Sequence, residues 1–220
     1  MSVILNIDTS VETASVCLAK DDQVLQLAIN NNQKDHATWL HPAIKQLMSN
    51  EGLNVNSLQA VAVTIGPGSY TGLRVGLSTA KGLCYALNIP LITINTLEMM
   101  AYAIKDKEAD LFCPLIDARR MEVFMAIYNK NLSPLVEPKA IIIVPGIFDS
   151  FLSSNKILFS GTGSNKIKTV IQHPNAIFTD TVANAANMCH LSAEYFARKK
   201  ISNLAYTEPF YVKEFYSPAH

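Results

Sequence analysis

Ile65-Gly-Pro-Gly-Ser-Tyr-Thr-Gly-Leu-Arg-Val-Gly-Leu-Ser-Thr-Ala-Lys81 follows directly on Ala60-Val-Ala-Val-Thr64. The upstream run is continuous, apolar and largely β-branched, which predicts a buried strand. Gly66-Pro67-Gly68 stops it, and a helix is expected to begin near Thr71. A glycine inside a helix costs about 1 kcal/mol against alanine. Gly72, Gly76 and Gly82 therefore predict that something approaches this helix backbone closely.

Wound as a helix, residues 71–88 show three stripes. Leu73, Leu77, Ala80, Cys84 and Leu87 form an apolar stripe that can cover a sheet. Gly72, Gly76, Thr79, Leu83 and Ala86 form a second stripe of mostly small residues, and Arg74, Ser78, Lys81, Tyr85 and Asn88 a polar third. Small residues let two helix backbones come close. Two covers are open to the second stripe: a partner's helix, or a helix of the same chain at His36 to Met48. The partner reading is favoured, with Gly72, Val75, Gly76, Thr79, Leu83 and Ala86 joined by Leu40 and Ile44 in one docking face.

Outward from this stretch, Val3 to Ile7 reads as a buried strand ending at Asp8. Two further strands are expected at Thr13 to Ala19 and Val24 to Ile29, turned by Asp21-Asp22. Apolar residues at Ala37, Leu40, Ile44, Leu47 and Met48 have helical spacing, with Pro42 near the first turn or kinking the helix. A short strand is expected at Leu91 to Ile94, and an amphipathic helix at Val182 to Lys199. Leu115-Ile-Asp117 followed by Val123 to Ile127 repeats the strand, Asp, turn and strand of Leu5 to Leu18. A boundary is placed in the charged stretch near Lys105 to Asp110, giving domains 1–106 and 107–220.

The chain has 220 residues, of which 49% are hydrophobic and 16% charged, and its formal net charge is zero. This allows a sizeable core with apolar surface left for a partner, and it argues against independent binding to nucleic acid, which needs many Lys and Arg. Cys17, Cys84, Cys113 and Cys189 lie far apart among apolar neighbours and read as buried free thiols in a reducing compartment. No apolar run is long enough to span a bilayer, and a cytoplasmic location is expected.

Other chemistry competes at several places. Asp8, Thr9 and Ser10 after a buried strand could hold hydrated magnesium and phosphate oxygens, but all three are also good turn residues, and the turn is favoured. Asp117 has the same reading. Gly161-Thr-Gly163 is a second glycine turn. The Gly66–Gly68 turn lacks the Gly-Lys-Ser/Thr ending of a Walker A loop, and Ser78-Thr-Ala-Lys81 is a bare Ser-x-x-Lys without its companion motifs. His36 and His41 are five apart and do not share a helix face, so no metal cluster is expected.

Ile7-Asp-Thr-Ser10, Gly66 to Gly76, Ile116-Asp-Ala-Arg119 and Glu208-Pro-Phe-Tyr-Val212 together resemble the TsaB (YeaZ) family, in order through nearly the whole chain. The resemblance implies an α/β fold of two related subdomains of the actin, sugar kinase and heat-shock ATPase (ASKHA) type. It implies a scaffold role in making threonylcarbamoyladenosine next to the anticodon of tRNA, by binding the catalytic relative TsaD, with the ATPase TsaE as a further partner. A homodimer is implied when the chain is alone, and contact with tRNA only through the complex. TsaD carries Asn-His-Leu-Glu-x-His, whose histidines hold a metal, whereas this chain has Asn95-Thr-Leu-Glu-Met-Met100. Thr96 and Met100 cannot replace neutral imidazoles, so the resemblance implies a non-catalytic paralogue, and a metallopeptidase reading loses its footing.

No tightly bound cofactor is expected, with ATP or ADP and magnesium at a subunit junction left open. Asp8, Thr9, Ser10, Asp117, Gly161 and Gly163 are the candidate vestigial nucleotide contacts. The rival is a magnesium-dependent phosphotransferase or ATPase using Asp8 and the glycine turns.

Overall fold

The computed structural model describes residues 2–32 and 35–213. The first half runs β1 (Val3–Asp8), β2 (Ala14–Lys20), β3 (Gln23–Asn30), α1 (His36–Asn50), β4 (Ala60–Thr64), α2 (Tyr70–Leu87), β5 (Leu91–Ile94) and α3 (Thr96–Tyr102). The second half runs β6 (Leu111–Asp117), β7 (Glu122–Asn129), β8 (Pro134–Ile142), α4 (Asp149–Leu152), β9 (Ile157–Ser160), α5 (Ser164–Val170), β10 (Ala176–Phe178) and α6 (Cys189–Ala197).

The halves share one topology. The first sheet has the order β3-β2-β1-β4-β5 and the second β8-β7-β6-β9-β10. In each, the first three strands form an antiparallel meander and the last two join it in parallel. Asp8 and Asp117 therefore end equivalent strands, and Gly66–Gly68 and Gly161–Gly163 are equivalent turns. The weak repeat in the sequence is a structural duplication, and the fold is two related α/β subdomains.

Three cores follow from this layering. Val3, Leu5 and Ile7 point to one face of β1, where α1 and α2 cover them with Leu40, Ile44, Leu47, Leu77 and Ala80. Leu111, Cys113 and Leu115 pack under α4 and α5 with Phe148, Leu152 and Ile167. The opposite faces share a third core, where Ile4, Cys17 and Ala62 meet α3 (Leu97, Met100), α6 (Leu191, Tyr195) and, from the second sheet, Phe112 and Leu158. The alternation of strand side chains between faces produces this sandwich.

Local chemistry sets the element ends. Asp21 and Asp22 take φ 48° and 67° in the two-residue β2–β3 turn, where a type I′ geometry needs positive φ at both positions. Ser69 caps α2, its Oγ accepting from Gly72 N, and Asn88 ends it in the left-handed region. Pro42 lies inside α1, beyond its first turn. The helix expected at residues 182–199 is shorter: a 3₁₀ turn at Ala185–Met188 leads into α6. Asn184 forces this start, because its side chain and that of Asn187 cap each other's backbone. After α6 the chain returns to the first sheet, where Ser202 bridges to Leu91. Among the described residues no helix is long and apolar enough to cross a membrane.

Candidate interaction face and cleft

The glycine-rich turn is built against the end of β1. Gly66 has φ 120°, a conformation open mainly to glycine. Ser69 N donates to Ser10 O at 2.6 Å, and Thr9 Oγ1 donates to Gly72 O at 2.7 Å. A Cβ on Gly68 would overlap Ser10 O, one on Gly72 would overlap Thr9 O, and one on Gly76 would overlap Thr9 Oγ1. Gly72 and Gly76 thus make room for the chain's own Thr9–Ser10 turn, and not for a partner helix as the small-residue stripe suggested. Gly82 is exposed with open space around it, so nothing approaches it either.

Leu40 and Thr79 also need correction as contact residues, and Ile44 is a core residue that reaches the surface only as part of a groove wall. Leu40 is 0% exposed and Ile44 4%, both in the core beneath the first sheet. Full burial of such side chains contributes about 1.5–3 kcal/mol each, so their main role is folding. Thr79 is buried, its hydroxyl 3.5 Å from His41 Nε2. Only the C-terminal part of the stripe is open, with Leu83 half-buried and Ala86 exposed, and Val75 half-buried about two turns before Leu83.

Between α1 and α2 lies a groove of about 470 Å3. Its walls include Ile44, Met48, Leu53, Val55 and Leu83, with His41 and Lys45 on α1. Leu53 and Val55 carry no helical period in the sequence, because Leu53 lies in the turn after α1 and Val55 opens a three-residue 3₁₀ turn at Val55–Ser57. Tyr85, 82% exposed, projects from the adjoining face of α2.

The Asp8 turn is closed on itself. Asp8 Oδ1 accepts from Ser10 N at 3.1 Å, Ser10 Oγ at 2.6 Å and Thr64 Oγ1 at 2.7 Å. Asp8, Thr9 and Ser10 are each 0% exposed. Asp8 Oδ2 is buried without a hydrogen-bond partner. Burial pushes the Asp8 carboxyl above its ordinary value, against the opposing pull of its Ser10 and Thr64 hydrogen bonds. The N–H groups a phosphate would need are engaged as well: Ser69 N by Ser10 O, Gly72 N by Ser69 Oγ, and Leu73 N by Ser69 O. In this conformation a magnesium-bound nucleotide does not fit these residues, since the Thr9 and Ser10 hydroxyls and the Ser69, Gly72 and Leu73 amides are engaged within the chain and Asp8 Oδ2 is buried.

The equivalent place in the second subdomain is more open. Asp117 Oδ1 accepts from Lys166 Nζ and from Arg119 N, each at 2.6 Å. Partial burial pushes its carboxyl up, but Lys166 and the Arg119 N–H outweigh this and hold it below the ordinary value. Gly161, at φ 87°, packs against Leu115 O and the Met100 methyl, and Gly163 against Leu115 and Val123. A mainly apolar cavity of about 200 Å3 lies there, lined by Val11, Met99, Met100, Gly161, Thr162 and Val182 among others. Gly161 reaches this cavity; Asp8, Asp117 and Gly163 are not among its lining residues.

Thr96 and Met100 both lie on α3, buried, and Thr96 Oγ1 has no hydrogen-bond partner. His36 Nε2 lies 3.1 Å from Glu12 O, whereas His41 Nε2 lies 3.5 Å from Thr79 Oγ1. Among the described residues no group of three or more His, Cys, Asp or Glu side chains is arranged to hold a metal ion. All four cysteines are buried and free. Cys17 and Cys189, distant in sequence, bring their sulfurs to 3.3 Å. Burial drives the Cys113 and Cys84 thiols up, the latter to about 11, so these are packing groups and not nucleophiles.

The family model described as "TsaD: tRNA N6-adenosine threonylcarbamoyltransferase" matches residues 23–214. The tRNA threonylcarbamoyladenosine biosynthesis protein TsaB of Bacillus subtilis (strain 168) is 30% identical over 172 residues, covering 77% of this chain and 75% of that protein. The protein of the same description from Escherichia coli (strain K12) is 27% identical over 218 residues, covering 96% of this chain and 94% of its own. Among solved structures, YeaZ from Pseudomonas aeruginosa superposes with a TM-score of 0.83 at 25% identity, covering 96% of this chain and 100% of that one.

Proposed function

The chain belongs to the TsaB (YeaZ) family, and on that premise we propose that it is a non-catalytic scaffold subunit for threonylcarbamoyl transfer to the adenosine next to the tRNA anticodon. The relatives' names supply the pathway. The observation that carries the role is the contrast between two places. The Asp8–Ser10 turn is sealed by its own hydrogen bonds, while α1 and α2 flank an open, largely apolar groove. A protein with a closed pocket and an unfilled apolar groove suits binding better than turnover.

In this reading residues 1–106 present the docking helices and residues 107–220 supply the second subdomain, with the segment after α6 packing back on the first. TsaD is the partner on the α1–α2 face and performs the chemistry, TsaE joins the assembly, and tRNA is met only through it, in the cytoplasm. Without TsaD, the same apolar groove pairs two copies of the chain. Thr96 and Met100, where TsaD has its metal-holding histidines, support the absence of catalysis from this subunit. One observation favours the rival phosphotransferase reading: the orphaned Asp8 Oδ2.

Reconstitution of tRNA modification with TsaD present throughout, with and without this chain, tests the proposal. Modification should depend on the chain and reach full rate when its stoichiometry matches that of TsaD. Equal rates in its absence would remove the scaffold role.

A further inference from the structure

We propose that residues 208–213 form a strap that ties the first subdomain to the second and limits how far the two can open at the Gly66–Ser69 side. This goes beyond the docking reading and does not depend on which partner sits on α1 and α2.

The path of the chain carries the inference. After α6 it follows the edge of the first sheet, where Ser202 Oγ lies 2.7 Å from Thr93 Oγ1. It then runs along the polar stripe of α2, where Lys81 Nζ donates to Ala205 O and Thr207 O at 3.2 Å each. Phe210 N donates to Ile65 O at 2.7 Å. Phe210 O lies where a Cβ on Gly66 would be, so the glycine is needed for this docking. The Tyr211 ring stacks on Tyr70 at 4.9 Å between centroids, and its hydroxyl accepts from Arg74 Nε at 3.1 Å. The Arg74 guanidinium lies 3.9 Å from the Tyr70 ring centroid.

Every one of these contacts belongs to the first subdomain. Two residues later Lys213 Nζ reaches Glu122 Oε2 at 2.5 Å, at the start of β7 in the second sheet. The backbone oxygen of Glu122 also accepts from Lys166 Nζ, the cation that holds Asp117. The strap therefore lands on the hairpin that carries Asp117.

The two ends differ in strength. The first-subdomain end combines backbone hydrogen bonds, ring stacking and a cation over an aromatic face. The second-subdomain end is one ion pair with a half-exposed lysine, a class of contact with small net stability. Lys213 can let go while Phe210 and Tyr211 remain seated. That asymmetry is what a reversible tie between two lobes requires, the weak contact acting as the release point.

The test is charge reversal in the full chain, read by amide hydrogen exchange with mass spectrometry. Lys213→Glu and Glu122→Lys should each raise exchange in residues 117–123 and 211–213 by about two- to fivefold, the range an exposed ion pair supports. The swap Lys213→Glu with Glu122→Lys should return both segments to the parent rates. Residues 65–70 should change little in these variants, whereas Tyr211→Ala should raise exchange there too. Parent-like exchange in both single variants would overturn the strap, as would a double variant that fails to restore it. If Glu122→Lys does not fold, shortening the chain after Glu208 must raise exchange at 117–123, and unchanged exchange there overturns the proposal.

Discussion

Thr9 Oγ1 donates to the carbonyl of Gly72 at 2.7 Å, and the backbone oxygen of Thr9 occupies the place of the side chain that Gly72 lacks. The end of β1 and the first turn of α2 are thereby locked face to face. Gly72 and Gly76 serve this lock, and Gly82 has no part in it.

Glycine-to-alanine changes along α2 should separate by position. Gly72→Ala drives a Cβ into Thr9 backbone, which cannot yield as a side chain can, and should destabilise by about 1–3 kcal/mol despite the better helix propensity of alanine. Gly82→Ala meets open space and should stabilise by up to about 1 kcal/mol. Urea unfolding of the two variants measures both, and equal effects would contradict the packing described for Gly72.

Ala86→Arg probes the docking face without disturbing the core. Ala86 is exposed on the open end of the small-residue stripe, so stability should stay within about 0.5 kcal/mol of the parent. An arginine there should reduce co-elution with TsaD at least tenfold in apparent affinity, by size-exclusion chromatography of mixtures. Leu40 and Ile44 are unsuitable for this purpose, because their loss would unfold the first subdomain.

Asp8 should make stability pH-dependent in an unusual direction. Its folded carboxyl titrates above the ordinary value of 3.8, chiefly because it is buried. The folded state therefore holds the proton more tightly than the unfolded chain. This contribution is fully present below pH 3.8, declines as the pH rises from there, and is lost above the raised folded value. Asp8→Asn keeps an acceptor for Ser10 and Thr64 and carries no charge. It should be at least as stable as the parent at pH 8, with a flatter stability profile between pH 4 and 8 by thermal unfolding. A profile identical to the parent's would show that Asp8 does not titrate as its burial demands.

Isolated chain titrated calorimetrically with magnesium and ATP should show no binding tighter than about 1 mM, because Thr9, Ser10 and the turn amides are engaged within the chain. Micromolar binding, lost in Asp8→Asn, would restore the phosphotransferase reading.

Much of this architecture was legible in the chain itself. The β-branched run before Gly66, the paired Asp21-Asp22 turn and the repeat of Leu5 to Leu18 in Leu115 to Ile127 follow from period and turn chemistry, which are local. The motif from Gly66 to Gly76 also marked the right place. What it could not reveal was the neighbour: a stripe of small residues shows that something comes close, and Thr9, more than sixty residues upstream, is what comes close. Cys17 and Cys189 show the same limit, since their sulfurs meet only because α6 returns to the first sheet. The groove residues Leu53 and Val55, and the run of Phe210 to Lys213 across two subdomains, carry no periodic signal. Sequence determined the elements, their duplicated order and the surfaces that must be covered, because these depend on residues a few positions apart. Tertiary structure alone decided which surface covers which, because that depends on where distant segments fit together in space.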